Sequence, residues 1–137
     1  MHVVRYGGGT FPFDDAGFDV VWSNAVIEHV GSDEHKVHFL REIQRVGGRG
    51  FVTTPNRWFP LESHTKLPLL HFLPKPMFDA LLPRLGKSWA RGDYMDLLSE
   101  RRFRAVLDRA GITNYELYKN RLGPLTIDFV AIFPARG

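Results

Sequence analysis

Cysteine is missing from all 137 residues, so neither a disulfide framework nor a thiolate metal site can be built from them. That composition suits a cytoplasmic protein. No apolar run is long enough to cross a membrane. The greasiest stretch, LPLLHFLPKPMF (67–78), is broken by His71 and three prolines, whereas a spanning helix needs about 20 apolar residues. The opening MHVVRYGGGTF has no basic region leading into an apolar core and does not read as a signal peptide. The net charge of +3 is spread along the chain, and the densest cluster, SERRFR (99–104), reads as the start of an ordinary helix. A nucleic-acid binder would gather its cations on one face, so nucleic acid is not an expected partner. Neither repeats nor low-complexity segments occur.

Against these exclusions stands material for a core. Hydrophobic residues make up 44% and aromatics 13% of the chain, which places it among globular rather than disordered sequences. Its length fits one domain of the common size of roughly 100–150 residues.

The pattern is α/β. MHVVRY has strand composition and is stopped by Gly7 to Gly9. After the DDAG turn, Phe18 to Trp22 is an almost continuous apolar run, which predicts a strand covered on both faces, as in a parallel sheet. Ser32 and Asp33 can cap a helix carrying Val37, Leu40, Ile43, Gln44 and Val46 on one face. GGRG ends it, and GFVTTP is the next strand, completing a βαβ unit with a right-handed crossover. Ser99 can cap a second helix with Phe103, Val106, Leu107 and Ala110 inward, stopped by Gly111. NYELYKN and TIDFVAIF are two further strands. Only Leu122 to Leu125 lie between them, and so short a connection makes an antiparallel hairpin.

Residues 57–96 differ from the rest. Pro60, Pro68, Pro74, Pro76 and Pro83 are mixed there with aromatics and with His64, Lys66, His71, Lys75, Arg84 and Lys87. Such an insertion is too long for a plain connector. It can be a hydrophobic cap, a lid bringing Trp58, Phe59, Leu70 and Phe72 over Asn24 and His29, or a segment lying on a membrane surface. His64 and His71 with no third ligand do not make a metal site.

Polar residues follow the apolar strands where an α/β sheet places its ligands, outside the strands' carboxyl ends. FDVVWSNAVIEHV puts Ser23, Asn24, Glu28 and His29 there. Ser23 and Asn24 either meet a ligand or satisfy backbone groups of a turn. His29 can act as a base, its ordinary pKa lying near neutrality, or pack beside the insertion. Glu28 can orient substrate or hydrogen-bond structurally. TPNRWF adds Asn56 and Arg57 as substrate contacts, although Asn56 can also serve its own turn.

TFPFDDAGFDVVWSNAVIEHV resembles the central motif of class I S-adenosylmethionine-dependent methyltransferases. That motif is a Leu-Pro-Phe-like turn, a Phe-Asp-hydrophobic-hydrophobic strand, a small polar residue and a hydrophobic-Glu-His sequence. FLREIQRVGGRGFVTTPNRWFP resembles the helix, glycine turn and strand that follow. The resemblance implies a truncated Rossmann-like sheet over residues 1–137, with the insertion at about 57–96 and a C-terminal antiparallel hairpin. It implies sheet order 3-2-1-4-5-7-6, to which this chain brings strand 3 and strands 4, 5, 7 and 6. S-adenosylmethionine is the implied cofactor, Ser23, Asn24 and Ala25 its methionine-side contacts, and a small-molecule methyl acceptor the partner.

Three features of the family are not met. GGG at Gly7 to Gly9 opens no helix and is not the cofactor's glycine loop, and no acid follows a second strand to hold the ribose. Gly7 stands where an Asp would meet the adenine amine. Strand 4 becomes an open edge, which invites pairing. Either Val3 to Tyr6 fold onto it or another chain does, making a homo-oligomer. The alternative to an enzyme is therefore a non-catalytic methyltransferase-like protein that pairs with another chain.

Overall fold

Ser32 and Ser99 each start a helix. Ser32 Oγ accepts from His35 N, and Ser99 Oγ accepts from Arg102 N, satisfying amides that the first turn leaves without partners. In this computed structural model, which describes residues 3–60, Met77, Ala80 and 96–135, the elements run in the expected order. They are β1 (Val21–Asn24), a 3-10 turn (Ile27–His29), α1 (Asp33–Val46), β2 (Arg49–Pro55), α2 (Glu100–Ala110), β3 (Glu116–Leu122) and β4 (Leu125–Pro134). Gly111 closes α2 with φ +85, a conformation that costs glycine little.

The sheet order is β1-β2-β4-β3, with β1 parallel to β2 and β4 antiparallel to both of its neighbours. These are strands 4, 5, 7 and 6 of the expected sheet. Leu40 and Ile43 of α1 and Phe103 and Leu107 of α2 bury completely with Val52, Ala131 and Phe133 of the sheet. Each fully buried Leu or Ile contributes roughly 1.5–3 kcal/mol. Gly50 leaves room for Phe133, whose ring a Cβ there would overlap.

Two expectations are corrected. β1 is not covered on both faces. Val21 and Ser23 turn inward, but Trp22 is 71% exposed and Val20 57%, because both helices lie on the opposite face. Nor do Val3 to Tyr6 form a strand. Among the described residues they are exposed and enter no strand pairing, and β2 is the only strand beside β1.

The N-terminal segment is held by α1 instead. Glu42 Oε2 accepts from Phe11 N at 2.7 Å, while Arg45 donates to the carbonyls of Phe11 and Phe13 at 3.0 and 2.9 Å. Hydrogen bonding from Arg45 holds the Glu42 carboxyl below its usual pKa, against the opposing pull of burial. Phe11 stacks edge-on between Tyr6 and Phe39. Glycines 8 and 9, both at positive φ, bend the chain out of any strand path.

Candidate functional site

β1 and β2 are parallel neighbours, so their carboxyl ends meet, and a turn after β1 is stitched to β2. Ala25 takes φ +52, a left-handed conformation uncommon outside glycine. Its N–H donates to Thr53 O at 3.2 Å and to Thr53 Oγ1 at 3.1 Å. The Thr53 hydroxyl in turn donates to Asn24 Oδ1 at 2.6 Å. Asn24 Nδ2 meets no acceptor among the described residues and is available to a ligand. These groups line a cavity of about 240 Å³.

The sequence-predicted residues divide around this point. Asn24, Ala25 and Asn56 line that cavity. Ser23 faces the core, 6% exposed, and its Oγ has no partner among the described residues. Glu28 is fully buried, its Oε2 accepting from Thr54 Oγ1 at 3.2 Å. Asn56 spends its amide on the fold: Nδ2 donates to Thr126 O and Oδ1 accepts from Trp58 N. Arg57 is exposed, with its guanidinium 5.9 Å from the Trp58 ring centre. His29 lines a second cavity of about 580 Å³, walled by Tyr6, Gly7 to Gly9, Val26 and Phe39. Of the four residues expected in the lid, Phe59 lines the smaller cavity with Asn24. Trp58 lies in a groove beside Ser99 and Arg104. Leu70 and Phe72 lie outside the described residues, as do His64, Lys66, His71, Lys75, Arg84 and Lys87.

Sequence reasoning missed Leu97, Ile127 and Asp128, which complete the smaller cavity. The signal was present in TIDFVAIF, where one acid interrupts an apolar alternation. Because β4 runs antiparallel to β2, its beginning lies against the end of β2, and Pro55 pairs with Asp128.

A charge cluster secures the turn that carries Glu28 and His29. Asp96 N donates to Glu28 O at 2.8 Å, and the buried Lys36 ammonium donates to Gly31 O. Lys36 Nζ also meets Asp96 Oδ2 at 2.8 Å, and Arg102 reaches both Asp96 oxygens at 2.6 and 2.7 Å. Burial pushes the Asp96 carboxyl up, but hydrogen bonds from Arg102 and Lys36 outweigh it and hold the pKa below the usual range. Among the described residues no trio of His, Asp or Glu could hold a metal ion, and no helix is long and apolar enough to cross a membrane.

A methyltransferase domain family model matches residues 3–51. A possible exported protein from Bordetella parapertussis superposes with a TM-score of 0.59 at 16% identity, over 91% of this chain and 41% of that one. A SAM-dependent methyltransferase from Methanosarcina mazei gives 0.53 at 14%, over 92% and 63%. PigF, solved with SAH, gives 0.50 at 19%, over 92% and 36%. This is a class I methyltransferase fold. The chain spans between 36% and 63% of the length of these three proteins. No curated protein sequence matches it.

The residues present fit S-adenosylmethionine at two of its three parts. Tyr6 and Phe39 with the Gly7 to Gly9 backbone offer a flat aromatic and peptide surface for an adenine. Asn24 Nδ2 and the Ala25 turn offer a polar strand end to an amino-acid moiety. No carboxylate lines the larger cavity among the described residues to accept the ribose hydroxyls.

Proposed function

We propose that this chain serves methyl transfer from S-adenosylmethionine to a small-molecule acceptor, with the cofactor's adenosyl part in the larger cavity, its methionyl end reaching Asn24 and Ala25 at the rim of the smaller, and the acceptor in the smaller. One observation carries the reading. Ala25 and Val26 are consecutive, yet Ala25 lines the smaller cavity and Val26 the larger. A donor and an acceptor would therefore meet across a single strand end. The methyltransferase match over residues 3–51 and the SAH held by PigF support the choice of cofactor.

Bound there, S-adenosylmethionine would supply an electrophilic methyl group on a positively charged sulfur. The chain's own contribution is positioning in a partly dry site. Asn24 and Ala25 would hold the methionyl end, with Ser23 behind them. Asn56 shapes the acceptor cavity through its turn, and Arg57 stands at the exit of β2 toward the acceptor. Glu28, pinned by Thr54, sets the turn that presents His29, the base we assign where the acceptor must lose a proton. The cysteine-free composition supports a cytoplasmic setting.

Backbone resonances titrated with S-adenosylmethionine test this. Shifts confined to Gly7 to Gly9 and Asn24 to Val30 are expected. Shifts elsewhere, or none at millimolar cofactor, would overturn the assignment. The outer edge of β1, unpaired among the described residues and beside exposed Trp22, favours a second reading, a methyltransferase-like protein that pairs with another chain through that edge.

A further inference from the structure

One ionisable side chain stands among the described residues lining the 240 Å³ cavity, and neither the resemblance nor the motif reading assigns it a role. Asp128 lies near the start of β4, paired with Pro55 on β2 and with Asn120 on β3. Asn120 Nδ2 donates to its Oδ1 at 2.7 Å. Among the described residues Oδ2 takes part in no hydrogen bond or ion pair. The wall around it is largely apolar, formed by Ala25, Pro55, Phe59, Leu97 and Ile127. A half-buried carboxylate oxygen beside such a wall is stabilised by a donor, and most by a charged one.

We propose that Asp128 determines which acceptors enter: small molecules presenting a protonated amine on a compact apolar body, with carboxylate-bearing molecules excluded. This rests on the smaller cavity being the acceptor's, as argued above. Size sets the body. At about 240 Å³ the cavity falls below the roughly 300–1,000 Å³ of pockets for drug-sized ligands, and a single ring fills it. Charge sets the head. A cation donates to Oδ2, while a second carboxylate would face Asp128 with like charge in a poorly hydrated wall. The other polar groups among the described lining residues do not reverse the preference: Asn24 Nδ2 is neutral, the Thr53 and Thr54 hydroxyls donate to Asn24 and Glu28, and the Asn56 amide is spent on the fold.

The test uses three molecules with one ring and three heads: benzylamine, benzyl alcohol and benzoate, titrated into the whole chain by NMR. Benzylamine should bind tighter than benzoate by roughly tenfold or more, with shifts centred on Thr53, Ile127 and Asp128. Asp128→Asn should remove the preference and Asp128→Glu should keep its sign. The comparison of heads in the unaltered chain stands even if a variant fails to fold. Benzoate equal to benzylamine, benzyl alcohol tighter than both, or no binding by any of the three would overturn the proposal. A parallel S-adenosylmethionine titration separates the two readings. Amine preference without cofactor shifts sinks methyl transfer alone, and cofactor shifts without amine preference sink the role of Asp128 alone.

Discussion

The Thr53 hydroxyl donates to Asn24 Oδ1 at 2.6 Å, and Thr53 Oγ1 itself accepts from Ala25 N at 3.1 Å. One side chain on β2 thus fixes both the amide that faces the smaller cavity and the left-handed residue after it. Thr53→Val keeps the shape and removes both bonds. We expect a loss of about 1–2 kcal/mol in urea unfolding and disappearance of cofactor-induced shifts at residues 24–26, with Thr53→Ser restoring both. Unchanged shifts in the valine variant would show that Asn24 is oriented by something else.

Lys36 is fully buried while its partner Asp96 is 35% exposed at the side chain. Asp96→Asn should cost about 3 kcal/mol, since it leaves a buried cation with only the Gly31 carbonyl and a neutral amide. Adding Lys36→Met should recover part of that loss by removing the cation. A double variant less stable than Asp96→Asn alone would contradict this account.

The same carboxylate sets an acid limb. Its pKa lies below the ordinary 3.8, so its contribution is complete above that pH and is lost as pH falls through the lowered value. Unfolding measured from pH 6 to pH 2 should show stability falling below about pH 4, with a shallower fall in Asp96→Asn. Identical acid limbs would rule out Asp96 as a contributor.

S-adenosylmethionine should bind the 137-residue chain more weakly than micromolar. The larger cavity has a glycine, Gly7, where an acid would meet the adenine amine, and among the described residues no carboxylate lines it for the ribose. Calorimetry giving a micromolar dissociation constant for a monomer would refute this.

Self-association should run through β1, whose outer edge is open among the described residues beside exposed Trp22, with Phe18 also exposed. Light scattering should show mass rising with concentration, and Trp22→Lys should suppress the rise by placing a charge on the edge. A clean monomer at high concentration would count against the pairing reading.

Most of the frame was legible because it rests on local signals. Ser32 and Ser99 announced the helices, Gly111 ended the second, and the short link at Leu122 to Leu125 forced the hairpin. MHVVRY misled because strand composition describes side chains that fit a pleat and says nothing of whether a neighbour is present to complete it. β1 misled in the same way: a continuous apolar run suggests two covered faces, but cover is a tertiary property. Of the site, the strand ends were readable and their division was not. Residues four apart, Ala25 and His29, face different cavities because a left-handed residue and a 3-10 turn intervene, and local pattern does not encode that. Asp128 was missed because its place depends on pairing across most of the chain's length.

Asn56 forms a bridge with Leu98, and Arg57 N donates to Leu98 O at 3.0 Å. The chain therefore leaves the sheet and re-enters it at one knot, like the two ends of a drawstring. A loop closed at such a knot tolerates length, since each doubling costs only about 0.6 kcal/mol more. Asp96, just inside the knot, pairs with the buried Lys36 of α1, so the point that closes the loop also anchors the first helix.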